Sequence, residues 1–341
     1  MTEYDAFEGA VKADDQRRSR GAPVHSENHY YRTAMMTPMR IEVVELPSAP
    51  DSVRPTMKAV GVGGAGCNIV ARSSLDKMAI CRGSDGLHSS VQDRFVLKES
   101  EVKVCRTSQP HILASHDLPW MGRMLRFIDD PQVLFLFSGM GGETGSYVSP
   151  VLMAGTRRTF NISSVSLPFS AEGPERKASA KEGLDRLKRE SDIMIVYAND
   201  ALIKLAPNLP LSKAFSVMDH VMTSIPEDLA SQLTVESLPV IKKEFYGLEM
   251  RLGIGYGLGF NKERLAVEEA LDSPWFPSKQ FRPSTGLMVI AQNEPDIDTV
   301  KGCLEYLDSM LEMDRLMVTV RKDPELDQRV RVSLMLGYGF K

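Results

Sequence analysis

Val133-Leu134-Phe135-Leu136-Phe137, followed after Ser138 by Gly139-Met140-Gly141-Gly142-Glu143-Thr144-Gly145-Ser146, decides the reading of this chain. Five consecutive apolar residues that end in a glycine cluster read as a buried strand running into a tight turn, and the residues after it read as the start of a helix. Without bulky side chains, backbone N–H groups can close on an anion while a helix N-terminus points at it. The carboxylate of Glu143 is out of place in such a cradle. Two like unit charges ~4 Å apart at an effective dielectric near 20 repel by about 4 kcal/mol. The stretch therefore predicts a phosphate-type loop with a defect built into it.

The rest of the composition sets limits around that loop. At 341 residues, 43% apolar and 25% charged, the chain can bury a full core and has the length of roughly two domains. A net charge of -4 with no dense Lys/Arg stripe gives no general attraction to nucleic acid or to acidic membranes. Cys67, Cys81, Cys105 and Cys303 lack C-x-x-C spacing, so buried reduced thiols are expected and no metal site. No apolar stretch approaches the ~20 residues that span a bilayer, and the first residues, with Glu3 and Asp5, do not read as a leader; direct membrane insertion is not expected, and the cytoplasm is the expected location.

Residues 1–56 mix both charge signs with Ser and Pro and show no sustained apolar period, which predicts a flexible N-terminal arm. From Met57 strands and helices alternate. Lys58 to Val62, Val133 to Phe137, Ile162 to Leu167 and Ile193 to Val196 read as strands, with a helix carrying Ala180, Leu184, Leu187 and Ser191 between the last two. That order predicts a parallel sheet with right-handed crossovers over residues 57–230. A helix near Ser212 to Met222 leads into a second, smaller α/β domain at 231–341. There a strand at Leu287 to Ala291, a helix with Val300, Cys303, Leu304, Leu307 and Leu311 on one face, and strands Leu316 to Arg321 and Val330 to Leu336 follow. The many methionines fall mostly in these apolar runs and read as core.

A second glycine turn, Gly61-Val62-Gly63-Gly64-Ala65-Gly66-Cys67-Asn68, follows the first strand. Alone it satisfies G-x-G-x-x-G, and Asp85 lies near the distance at which a dinucleotide fold places its ribose acid. An NAD-binding Rossmann reading leaves the Gly139 loop without a task, whereas two phosphate-type loops on neighbouring strands can hold one triphosphate between them. Neither loop contains G-K-[ST], which excludes a P-loop.

Two glycine loops of this kind resemble those of the FtsZ/tubulin superfamily. Gly61 to Asn68 is similar to the FtsZ loop G-V-G-G-A-G-x-N, and Met140 to Ser146 to the signature M-G-G-G-T-G-T-G, with Glu143 at the third signature glycine and Tyr147 at the last. Pro168, Phe169, Glu172, Gly173 and Arg176 resemble its P-F-x-x-E-G-x-x-R segment. Asn199-Asp200 sits at its P-N-D position, Phe215 and Asp219 at the spacing of its base-contacting pair, and Gly253-Ile254-Gly255 with Asp272-Ser273-Pro274 at the start of its second domain. The resemblance covers about residues 57 to 341. It implies a tubulin/FtsZ-type nucleotide-binding domain and GTP or GDP as ligand. Gly63, Gly64, Ala65 and Asn68 would line the phosphates and base; Gly141, Gly142, Thr144, Gly145 and Ser146 would cradle the phosphates. Glu172 would hold the ribose hydroxyls with Arg176 beside sugar and phosphates, Asn199 and Asp219 would read the guanine edge, and Phe215 would stack on its ring. The chemistry agrees, since carboxylates accept donors from a guanine edge or a diol and an aromatic ring stacks on a base.

Three departures from the family pattern cluster on the terminal phosphate. Besides Glu143, the stretch Val104 to Trp120, where FtsZ has a glycine-rich loop, contains no glycine. The family's N-x-D-x-x-D segment, which carries its acids against the nucleotide of the next subunit, here reads Leu233-Thr234-Val235-Glu236-Ser237-Leu238-Pro239-Val240, so Glu236 is the one candidate catalytic acid and no second follows. Pro226 is expected to interrupt or shorten the helix leading there. The resemblance thus implies a divergent FtsZ-like cytoskeletal protein of division or cell shape that binds guanine nucleotide, self-associates head to tail or co-assembles with an FtsZ homologue, and hydrolyses GTP weakly or not at all. The alternatives are an active GTPase using Glu236, with Glu143 turned to Mg²⁺, an NAD-binding enzyme, and a nucleotide-free scaffold.

Overall fold

A computed structural model describes residues 41–45, 53–83, 90–115, 118–205, 210–276 and 282–339. In chain order the elements are β1 (Glu42–Glu45), β2 (Met57–Val62), α1 (Gly63–Val70), β3 (Lys77–Arg82), β4 (Asp93–Leu97), α2 (Glu99–Thr107), α3 (Pro110–Ser115), α4 (Pro119–Ile128), β5 (Val133–Gly139), α5 (Glu143–Gly155) and β6 (Phe160–Leu167). They continue with α6 (Pro174–Leu187), β7 (Ile193–Ala198), α7 (Asp200–Leu205), α8 (Leu211–Gln232), α9 (Leu238–Phe245), β8 (Leu248–Gly257), α10 (Lys262–Leu271), β9 (Thr285–Gln292), α11 (Ile297–Met310), β10 (Arg315–Lys322) and β11 (Val330–Gly339). The strands form one mixed sheet in the order β1-β10-β9-β11-β8-β7-β6-β5-β2-β3-β4. Its half from β4 to β7 is parallel throughout, as expected for strands joined by helical crossovers. Among the described strands only β11 runs antiparallel to its neighbours, β8 and β9.

Strand β5 shows why the apolar run reads as it does. Val133, Phe135 and Phe137 face one core with α1 and α8, while Leu134 and Leu136 face another with α4, α5 and α6. A strand covered on both faces needs a continuous apolar run. The first core continues under β9, β10 and β11 through Leu287, Val289, Met317 and Met335, so α8 and its neighbours cover one side of both halves of the sheet. On the far side of the second half, α10 and α11 enclose a third core with Val300, Leu304 and Leu307. All four cysteines are free and buried.

Register then places the two glycine loops side by side. Val62 pairs with Ser138, so β2 and β5 reach their carboxyl ends together, and Gly139 pairs with Ser166 one strand further on. At Gly63, where φ is +76°, an added Cβ would stand 3.1 Å from the Gly145 amide nitrogen. At Gly145 it would stand 2.2 Å from the Gly139 carbonyl oxygen. The loops are thus packed backbone against backbone, which only glycine permits.

The structure corrects two expectations. Residues 42–45 are strand β1, parallel to β10 with Val43 opposite Leu316, where a flexible arm was expected. Ile41 beside it is buried and its N–H donates to Asp308 Oδ1 at 2.9 Å. Four residues are too few to show a period, and this strand owes its order to the neighbour it joins. Residues 53–56 of the arm are also ordered, the Val53 carbonyl accepting the Val235 N–H at 3.0 Å, while residues 1–40 and 46–52, and Asp85, lie outside the described residues. The second correction is Pro226, which sits inside α8 without ending it. Lacking an N–H, Pro226 leaves the Met222 carbonyl without its helical donor, and the Ser164 hydroxyl donates to that carbonyl at 3.1 Å. The glycine-free stretch 104–120 is largely helical, shared by the end of α2, α3 and the start of α4.

Candidate functional site

A cavity of about 400 Å³ opens along the carboxyl edge of the parallel strands, in the size range of small-molecule sites. Such an edge is where open α/β sheets bind ligands. The β2–α1 turn contributes Gly63, Gly64 and Ala65, and the β5–α5 turn contributes Gly142, Glu143, Thr144 and Gly145. Neither α1 nor α5 has a side-chain N-cap, so the amides of both first turns lack that partner. A Cβ added to Gly64 or Gly142 would meet nothing within 4 Å, as expected of backbone facing open space. This cradle fits an anion such as a phosphate chain.

At the other end stand Asn199, just after β7, and Phe215 and Asp219 on α8. Asn199 is 7% exposed and its Oδ1 has no hydrogen-bond partner among the described residues. Buried polar atoms are rarely left so, because an unmade bond costs about 1–3 kcal/mol. Burial pushes the Asp219 carboxyl up to about 6, against the pull of Arg72, whose Nε lies 3.6 Å from Oδ2. The Phe215 ring is 42% exposed and packs edge to face on Phe169 at 5.7 Å between centroids. Acceptors that await donors, beside an open ring face, fit the edge and face of a purine base.

Between the ends lie Glu172 and Arg176, joined by a 3.1 Å ion pair. Glu172 also accepts the Phe169 N–H at 2.7 Å, which fixes its carboxylate over the loop. Asp200 faces away into a local task. It accepts the Ser170 N–H at 2.8 Å and the Ser170 hydroxyl, and these bonds hold its carboxyl below the usual range.

Of the fifteen residues singled out for the nucleotide site from sequence, Glu143 in the second loop included, the cavity gathers all but Asn68, Gly141 and Ser146. Asn68 is exposed on α1, outside the lining. Ser146 is fully buried, and its hydroxyl accepts the Gly141 N–H at 2.8 Å, so both hold the loop's shape. Residues that sequence reasoning missed include Ile69, Ser166, Met218 and, above all, Arg82. Arg82 donates to Glu143 Oε2 at 3.0 Å, and Arg106 to Oε1 at 3.2 Å. The awkward charge of Glu143 is thereby answered by two guanidinium groups. Glu236 is exposed in the turn between α8 and α9, where Thr234 and Ser237 exchange hydrogen bonds. It is not part of the cavity.

Comparison with known proteins accounts for this arrangement. Residues 111–207 match the GTPase domain of the Tubulin/FtsZ family. "Cell division protein FtsZ 1" of Archaeoglobus fulgidus is 26% identical over 309 residues, covering 83% of this chain and 82% of that protein. The chain is a divergent FtsZ-like protein of the FtsZ/tubulin superfamily. FtsZ of Methanothermobacter thermautotrophicus is 30% identical over 253 residues, which are 67% of this chain and 65% of that protein. Among solved structures, a mutant form of FtsZ from M. jannaschii superposes with a TM-score of 0.71 at 25% identity, covering 83% of this chain and 91% of that one. The GTPgS-bound protofilament of CetZ2 from Haloferax volcanii shares the fold, with a TM-score of 0.66 at 18% identity and coverage of 84% and 93%. No helix among the described residues of this FtsZ-like chain is long and apolar enough to cross a membrane.

Proposed function

We propose that this FtsZ-like chain binds GDP or GTP in the cavity and associates head to tail as a cytoskeletal protein of division or cell shape, with weak or absent hydrolysis. One observation carries the nucleotide reading: the Asn199 Oδ1, unpartnered among the described residues, and the largely buried Asp219 carboxylate converge on one end of a cavity whose other end holds two uncapped helix N-termini. Guanine offers an N1–H and an amino group to those acceptors, the glycine turns offer amides to phosphates, and Glu172 offers a carboxylate to a ribose diol.

Several features support weak turnover. A general base must come within hydrogen-bond reach of the water it activates. Glu236 lies beyond the end of α8, and the 13 helical steps from Asp219 to Gln232 alone span roughly 20 Å. It can serve only the nucleotide of another copy, in a heterologous contact that builds filaments when it does not close. The residues after it, Leu238 and Pro239, supply no further acid. Mg²⁺, if used, would be held mainly by the phosphates and one or two carboxylates. Glu143 fits that task poorly because both of its oxygens already carry guanidinium groups.

The test is to denature the purified full chain, identify any released nucleotide, and titrate the emptied protein with GDP, GTP, ATP and NAD. Guanine nucleotide alone, with little phosphate release, is the expected result. Binding of NAD, equal binding of ATP, or rapid GTP turnover, on the order of one per minute, that Glu236→Ala abolishes would overturn it, and no binding at all would favour a scaffold.

A further inference from the structure

The strand order lays out the cavity in sequence: Asn199 follows β7, Ser166 lies in β6, Gly142 to Gly145 follow β5, Gly63 to Ala65 follow β2, and Arg82 ends β3. Four strand spacings separate the first from the last, roughly 19 Å. A nucleotide whose base lies between Asn199 and Asp219 therefore extends its phosphate tail toward Arg82, and the third phosphate reaches furthest. That end already holds an anion. Glu143, the first residue of α5, takes Arg82 on one oxygen and Arg106 on the other.

The cluster is anchored from outside the cavity. Arg106, in the last turn of α2, lies over the Tyr147 ring at 5.4 Å, and Arg186 lies over the same ring at 5.6 Å. Tyr147 is buried and donates to Glu182 at 3.1 Å. Arg186 donates to the carbonyls of Cys105 and Arg106, at 2.9 and 3.2 Å, which ties the end of α2 to α6. Tyr147 at the signature's last glycine and Arg106 in the glycine-free stretch are thus parts of one arrangement that aims a guanidinium at Glu143.

Resting on the reading that guanine nucleotide occupies the cavity, we propose that Glu143 is an internal stand-in for a third phosphate. It makes the site select nucleoside diphosphate over triphosphate. The α- and β-phosphates have the glycine amides of both loops. A third phosphate must either lie against the Glu143 carboxylate or displace it from Arg82 and Arg106. Because the three side chains are 45 to 54% exposed, the pairs are screened and individually weak, so the carboxylate shifts the preference between nucleotides without sealing the site.

The experiment is calorimetric titration of the full chain with GDP and with the slowly hydrolysed analogue GTPγS, in wild type, Glu143→Gln and Glu143→Gly. Wild type is expected to bind GDP at least as tightly as GTPγS. Each substitution is expected to move the ratio toward GTPγS by about tenfold, the equivalent of about 1.4 kcal/mol. Adding Arg82→Ala or Arg106→Ala to Glu143→Gln is expected to reverse that gain. Since Gln preserves the shape of the side chain and GDP binding reports an intact site, misfolding is separable from lost selectivity. A ratio that stays within twofold in Glu143→Gln, or a wild type that prefers GTPγS by tenfold, overturns the proposal while leaving the nucleotide reading in place. If wild type binds neither nucleotide, both fall.

Discussion

The two ends of the cavity treat polar groups in opposite ways. At the α8 end, Asn199 Oδ1 is buried without a partner among the described residues and the Asp219 carboxyl holds its proton up to about pH 6, with Arg72 only 3.6 Å away. At the α5 end each oxygen of Glu143 is matched by its own arginine. Groups left at a cost in a folded chain mark a place where a ligand completes the bonding, whereas groups that satisfy one another inside the chain need none. The difference separates recognition of a base from handling of a terminal phosphate. On the proposed function, the first is kept and the second is altered.

The hardest test of the α8 end is Asp219→Asn. It puts an amide donor against the donors of guanine, and affinity for GDP is expected to fall about 100-fold, as when a site built around one hydrogen-bonding pattern meets another. The same substitution is expected to stabilise the ligand-free chain by about 2 kcal/mol at pH 7 in urea unfolding, because it removes a buried charge. The pH dependence fixes the sign. Asp219 is raised from 3.8 to about 6 on folding, so between those values the folded chain holds a proton that the unfolded chain has released. The cost of the charge is fully present above pH 6 and declines as the pH falls toward 4. The stability gain of Asp219→Asn should shrink over the same window. An unchanged GDP affinity with no stability gain would erase the contrast between the two ends.

Acid should weaken the wild-type site as well. Only the ionised carboxylate accepts two donors, and with a value of about 6 the group is about nine-tenths protonated at pH 5. GDP affinity is therefore expected to drop about tenfold between pH 7 and pH 5, measured by titration at constant ionic strength, and Asp219→Asn should abolish that slope. A slope that survives the substitution would assign the acid sensitivity to another group. Next in size is Phe215→Ala. Stacking of a base on an aromatic ring is worth about 1–3 kcal/mol, and a ring 42% exposed belongs at the lower end, so about fivefold weaker GDP binding is expected.

How far each end was legible in the sequence follows the same division. Asn199, Phe215 and Asp219 could be singled out because they stand where the FtsZ/tubulin pattern has its base contacts, and the helical spacing brings Phe215 and Asp219 to one face. β5 and β7 were legible because their short apolar runs suit strands buried on both faces. The balance at Glu143 was not. Arg82 is 61 residues away on β3 and Arg106 is 37 away on α2, and no local pattern announces that two helical and strand termini will meet. Sequence reasoning saw a lone carboxylate in a phosphate loop and predicted repulsion, whereas the fold supplies two cations. Pro226 was misread for a kindred reason. The donor that makes it tolerable in α8 is Ser164, on β6 and 58 residues from the carbonyl it serves.

The smallest expected effect belongs to Glu236, and it separates binding from assembly. Its side chain is exposed, and the end of α8 that precedes it lies roughly 20 Å along the helix from Asp219, so within one molecule it has no access to the cavity. Glu236→Ala should therefore leave GDP and GTPγS affinities within about twofold of wild type at concentrations where the chain is monomeric, since changes at such surface positions usually stay within about 0.5 kcal/mol. Any effect it has should appear only as the protein concentration rises, in the residual rate of phosphate release or in light scattering by assemblies, because only a second copy can bring this carboxylate to a nucleotide. A loss of affinity in the monomer would place Glu236 in the binding site itself and break the division between the ends of the cavity. An effect confined to high concentration would locate whatever turnover the chain retains at the contact between molecules.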